Sequence, residues 1–129
     1  MHTTSRFTRG LSWTLRVFAG LAFFAAGVAK LMGVPMMVAV FEQIGAGQWF
    51  RIVTGVIEVI GAIALLLPAT YALSATMLAG MMLVATCVHL LLIGGSPVPA
   101  IVLMLANGTV AWLNRDQLVT TLRTIGIVR

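Results

Sequence analysis

The sequence predicts an all-α integral membrane protein, a bundle of four transmembrane helices with a short interfacial helix between the first and second. Three observations lead there. Of 129 residues, 60% are hydrophobic and only 9% are charged, with a mean hydropathy of +1.09, too little polar surface to cover a water-soluble domain of this size. Four apolar segments approach the ~17 to 25 residues that cross a hydrocarbon core. Pro68, Pro97 and Pro99, with Gly94 and Gly95, fall at their boundaries as helix stops and starts.

The first span covers 15–32, "LRVFAGLAFFAAGVAKLM". After it comes "GVPMMVAVFEQIGAGQW", too polar at its end and too short to cross. There Met36, Met37, Val40, Phe41 and Ile44 recur at helical spacing behind Pro35, which predicts an amphipathic helix lying in the interface; a plain connecting loop is the alternative. The second span covers 50–68, the third 72–93, and the fourth, at 99–113, is the shortest. The chain 1–129 reads as one membrane domain with polar tails at 1–14 and 114–129. Met36, Met37, Met77, Met81, Met82 and Met104 read as packing filler.

Charge sets the orientation. Arg6, Arg9 and Arg16 stand at the start of span one, and Arg115, Arg123 and Arg129 follow span four within a net charge of +5. By the positive-inside rule both termini are cytoplasmic, in the plasma membrane, which in a bacterium is the inner one. Trp13 and Trp112 then lie at the inner interface and Trp49 at the outer one, while Arg16 and Arg51 snorkel to the two surfaces. No basic run is interleaved with aromatics, so nucleic acid is not an expected partner. The arginine-rich start followed by "GVA" also resembles a signal peptide cleaved near Lys30. Cleavage would leave three spans and put the ends on opposite faces, so an intact first span is expected. Cys87 is the lone cysteine, which rules out an intrachain disulfide and self-contained dithiol redox chemistry.

Glu58 is the exception that matters: a carboxylate inside "GVIEVIGAIALLLP", about 12 Å below the outer surface at ~1.5 Å per helical residue. Asn107 lies at a similar depth in span four, and Lys30 and His89 near the outer ends of spans one and three. Helical Cα–Cβ bonds tilt toward each helix's own N-terminus. Lys30 and His89 therefore lean inward and Glu58 and Asn107 outward, toward one layer. An unpaired charge at a helix centre costs about 2.5 to 3.5 kcal/mol on insertion scales, so Lys30 is expected as the counter-ion of Glu58, with His89 and Asn107 completing a buried polar cluster. Taken singly, Lys30 also fits a snorkelling anchor, His89 a helix-packing residue and Asn107 interhelical glue. Gly55, Gly61 and Ala62 flank Glu58 with a small-residue stripe, matched on span one by Ala19, Gly20, Ala26 and Gly27. Such stripes admit a close helix, from this chain or from a second copy. One histidine and one intramembrane acid fall short of a metal ligand set, and no nucleophile-and-base arrangement, phosphate loop or nucleotide fingerprint is present.

The pair "GLAFFAAGVAKLMG" and "GVIEVIGAIALLLP" resembles the signature of the DoxX-like family, a Gly-x-x-Lys-Leu closing span one and a Gly-x-x-Glu in span two. Gly27, Lys30, Leu31, Gly55 and Glu58 carry the resemblance, with His89 matching a histidine late in span three. It extends from about Leu15 to Leu113 and implies the four-helix layout. It also implies links to thiosulfate:quinone oxidoreduction, to membrane-tethered oxidative-stress complexes or to receptor-channel assembly, with quinone as the one cofactor suggested. Lacking paired cysteines, this chain is not expected to carry out sulfur chemistry itself.

Three functions follow as expectations. The first is an accessory protein without independent catalysis, set in the lipid bilayer beside membrane redox or other partner proteins, whose layer of Lys30, Glu58, His89 and Asn107 takes a quinone-like or lipid ligand. A second treats the layer as purely structural in a scaffold or assembly factor. A third makes Glu58 and His89 a proton relay in an oxidoreductase subunit, disfavoured because the inner halves of the spans offer nothing ionisable beyond the flanking arginines.

Overall fold

A computed structural model describes residues 5–129, so the first four residues of the expected N-terminal tail lie outside the described residues. The described chain is helical, in the order α1 (Arg6–Leu31), α2 (Pro35–Ile44), α3 (Gln48–Leu66), α4 (Tyr71–Val88), α5 (Val98–Leu113) and α6 (Arg115–Thr124), with a π-helical turn, His89–Ile93, extending α4. Three helices are long and apolar enough to cross a membrane: α1, α3, and α4 with its π turn. At 16 residues, α5 is equally apolar but spans only about 24 Å.

Each of the four long helices buries one stripe. On α1 it is Ser12, Arg16, Ala19, Gly20, Phe23 and Gly27, and on α3 it is Gly55, Glu58, Ala62 and Leu65, the three- and four-residue spacing of one helical face. The stripes meet around Phe23, Leu65, Leu78 and Val110, all 1% exposed or less. Packing runs in a ring, α1 against α3, α3 against α4, α4 against α5 and α5 back against α1. Outward faces carry Leu21, Phe24, Ile60, Ile63, Val84 and Leu105, each about half exposed or more, as surfaces meant for hydrocarbon would be.

Several elements differ from the sequence expectation. The first helix starts nine residues before the expected span because Ser5 caps it, its hydroxyl accepting from the Thr8 amide at 3.1 Å. The tail at 114–129 contains α6, whose first turn holds Asp116 and whose last holds Arg123, the order that complements a helix dipole. The amphipathic helix behind Pro35 is present as α2, closed by Gly45 at φ 79°, a left-handed C-terminal turn that glycine adopts without strain. Among the methionines, Met82 is in the core with Met81 and Met104 against it. Met36 and Met77 are 66% and 60% exposed, facing outward rather than filling gaps.

The small-residue stripes are occupied within the chain. A Cβ on Gly27 would stand 2.8 Å from the Gly55 carbonyl oxygen and 2.7 Å from Val59 Cγ2, and one on Gly61 would stand 2.9 Å from the Leu78 side chain. The close helix that the stripes were expected to admit is thus supplied within the chain, by α1 against α3 and α3 against α4.

Candidate functional site

The close approach at Gly27 and Gly55 places the one ion pair among the described residues. Lys30 Nζ lies 2.9 Å from Glu58 Oε1 and 2.7 Å from Oε2. The residue Glu58 is 3% exposed, and the Lys30 side chain 13%. Lys30 sits at the last turn of α1 while Glu58 lies about 15 Å into α3. They meet because the antiparallel helices bring the Lys30 stem beside Gly55, where a Cβ would be 3.1 Å from Lys30 Cβ, and because the two side chains lean toward each other along the axis.

His89 and Asn107 form no hydrogen bond to this pair. His89 is half-buried where α4 passes into its π turn, and its Nδ1 lies 3.1 Å from the Gly94 carbonyl oxygen, tying the turn to the loop that follows. Asn107 is fully buried on α5, its Nδ2 donating to Leu103 O at 2.8 Å within the same helix. Its Oδ1 is the one enclosed side-chain polar atom without a partner among the described residues. The four groups expected in one cluster are therefore a paired core of two with two separately anchored neighbours. A shared depth does not make contact when the faces of α4 and α5 turn their polar residues to different partners.

Two arginines expected at the membrane surfaces instead clamp helix ends. Arg51, in the first turn of α3, donates from Nη1 to the Lys30 carbonyl at the C-terminus of α1, with Nε on Gln48 Oε1 at 2.7 Å. Arg16 is 5% exposed and donates from Nε to the Leu65 carbonyl at the C-terminus of α3, at 2.6 Å. Its guanidinium lies between the rings of Trp13, 4.4 Å away, and Tyr71, 3.8 Å away. Each arginine thus satisfies an orphan carbonyl and faces the negative end of the helix it caps. Snorkelling was expected because the sequence locates each arginine at a span end; what it conceals is that the antiparallel neighbour ends at the same level.

The model of the DoxX-like family matches residues 14–113. The chain belongs to the DoxX-like family. That stretch runs from the turn before Arg16 to the end of α5 and includes both members of the ion pair. Neither curated proteins nor solved structures give a significant match. Membership and three spanning-length apolar helices make this a small membrane protein in contact with lipid.

A third polar assembly, unforeseen, sits at the opposite end of the bundle from α2. Asn114 Nδ2 donates to Ser12 Oγ at 3.1 Å, its Oδ1 accepts from the Tyr71 hydroxyl at 3.2 Å, and Gln117 joins Pro68 O to the Ala72 amide. Ser74 Oγ also donates to Gly61 O at 2.7 Å, joining α4 to α3. Asparagine and glutamine just past an apolar helix are the only sequence signals for it.

Proposed function

We propose that this DoxX-like protein is a membrane accessory scaffold with four crossing helices, in which the Lys30 and Glu58 pair fixes α1 on α3 rather than receiving a ligand. The observation that carries this reading is the self-sufficiency of the pair. Both carboxylate oxygens are within 2.9 Å of the ammonium, and the backbones beside them are too close for a methyl group at Gly27. The acid takes two of the ammonium's three donors, and the pair balances its own charge, so it needs no ligand to remain buried. The proton-relay alternative loses its second member, since His89 bonds to Gly94 and not to Glu58. The half-exposed apolar faces are then the surfaces offered to lipid and to partner membrane proteins, redox complexes among them.

A double-mutant cycle tests this, read as thermal stability in nanodiscs. Lys30→Met leaves a buried carboxylate alone and is expected to cost about 3 to 5 kcal/mol, with Glu58→Leu similarly costly, whereas the double variant recovers most of the loss. Stable single variants that lose a co-purifying quinone or lipid would replace the scaffold reading with a binding site.

A further inference from the structure

Arg16 carries a full charge against only the partial negative charge at the C-terminus of α3. No carboxylate pairs with it, for the one ion pair among the described residues is Lys30 with Glu58. A guanidinium has five N–H donors. Arg16 Nε spends its one on Leu65 O, and the four on Nη1 and Nη2 have no acceptor among the described residues. Those nitrogens are not sealed in either, since Asn107 Oδ1 is the one enclosed polar side-chain atom left without a partner. The plane of the fork is fixed by the Trp13 and Tyr71 rings on which it stacks, and its rotation by the bond to Leu65. The result is a fixed cationic fork whose end keeps a small exposed area on a side chain that is 5% exposed overall.

From this we infer that Arg16 binds the phosphate of a membrane phospholipid at the end of the bundle where the termini lie. The two Nη groups of a guanidinium match two phosphate oxygens at once, a geometry a point-charge ammonium does not offer. Its surroundings are those of a lipid. Trp13, one turn toward the N-terminus, exposes half its surface, and Val17 and Phe18 beyond it are 43% and 49% exposed, so a headgroup at Arg16 continues into acyl chain along the outer face of α1. The same end of the molecule carries six arginines against Asp116 alone, while Lys30 and Arg51 are matched by Glu42 and Glu58 elsewhere. That imbalance attracts an anionic membrane surface.

The test uses the full chain reconstituted in nanodiscs of phosphatidylcholine with a minor fraction of phosphatidylglycerol, then extracted in mild detergent for native mass spectrometry. One phospholipid is expected to survive extraction on the wild type. Arg16→Gln is expected to retain it about tenfold less, the loss of one charge-assisted pair, whereas Arg9→Gln, which removes an exposed cation from the same helix, leaves retention unchanged. Arg16→Lys keeps the charge and a donor for Leu65, so it is expected to fold yet hold the lipid weakly. Phosphorus NMR of the wild type needs no variant and should show one phospholipid resonance per chain, shifted from the bulk. Absence of that resonance, equal retention by Arg16→Gln and Arg9→Gln, displacement of the lipid by millimolar inorganic phosphate, or a co-purifying protein released by Arg16→Gln in its place each overturns the assignment.

Discussion

At the scale of single residues, distance ranks the substitutions. Gly27 is the tighter of the two glycines in the α1 and α3 contact. Its added methyl would meet a backbone oxygen at 2.8 Å, against 3.1 Å for Gly55, and a backbone oxygen cannot swing aside as a side-chain tip does. Gly27→Ala is therefore expected to cost about 1 to 3 kcal/mol and Gly55→Ala less, measured as thermal unfolding in detergent; the reverse order would mean that the helices shift in register. Asn107 yields the opposite sign. Its Oδ1 is enclosed without a donor, a burden of about 1 to 3 kcal/mol, so Asn107→Leu is expected to leave stability unchanged or raise it, and a clear loss would show that an interior water satisfies the oxygen. The pairing of Lys30 with Glu58 was legible in the sequence because a lone acid in an apolar helix demands a cation, and only Lys30 lay at a depth from which its stem could reach. The fate of His89 and Asn107 was not legible. Depth follows from counting residues, but the direction each faces depends on how α4 and α5 rotate about their own axes, which their nearly uniform apolar sequences leave undetermined.

At the scale of elements, side-chain capping is sparse at the helix N-termini, and side-chain bonds between helices concentrate instead on two arginine clamps at C-termini and one asparagine latch. Only α1 carries a side-chain N-cap, and α2 through α6 have none. Helix ends inside a membrane cannot turn to water for their free carbonyls, so the C-termini of α1 and α3 take their donors from Arg51 and Arg16 of the facing helix. Helix boundaries were read to within a few residues wherever proline marked them, as at Pro35, Pro68 and Pro97. They were missed where only a cap or a dipole decides, at Ser5 and in α6. The latch makes a prediction of its own. Asn114→Ala removes the bonds to Ser12 and Tyr71, each worth roughly 0.5 to 1.5 kcal/mol, and should loosen α6 before the bundle. Hydrogen exchange is expected to quicken across residues 115–124 while α1 and α3 stay protected, and uniform acceleration would show instead that the latch stabilises the whole fold.

At the scale of the whole molecule, the topology rests on whether α5 crosses the bilayer, since its 16 residues fall short of the ~20 that a hydrocarbon core of about 30 Å asks for. The proposed four crossings rest on its contacts. Helix α5 begins next to the π turn of α4 and ends where Asn114 reaches Ser12 of α1 and Tyr71 at the start of α4. It therefore travels the full length of α4, from one end of the bundle to the other, and a thinner local bilayer or the flanking residues must absorb the shortfall. On that reading both termini and five net positive side-chain charges lie on one face, which the positive-inside rule would make the cytoplasmic one. Reporters fused in turn to the N- and C-terminus are expected to read the same compartment, and a thiol probe placed in the loop at 94–97 the opposite one. If α5 lay in the interface instead, the C-terminal reporter would move to the far side and Asn114 could not share a membrane surface with Ser12, so this one result decides between a bundle of four crossings and one of three.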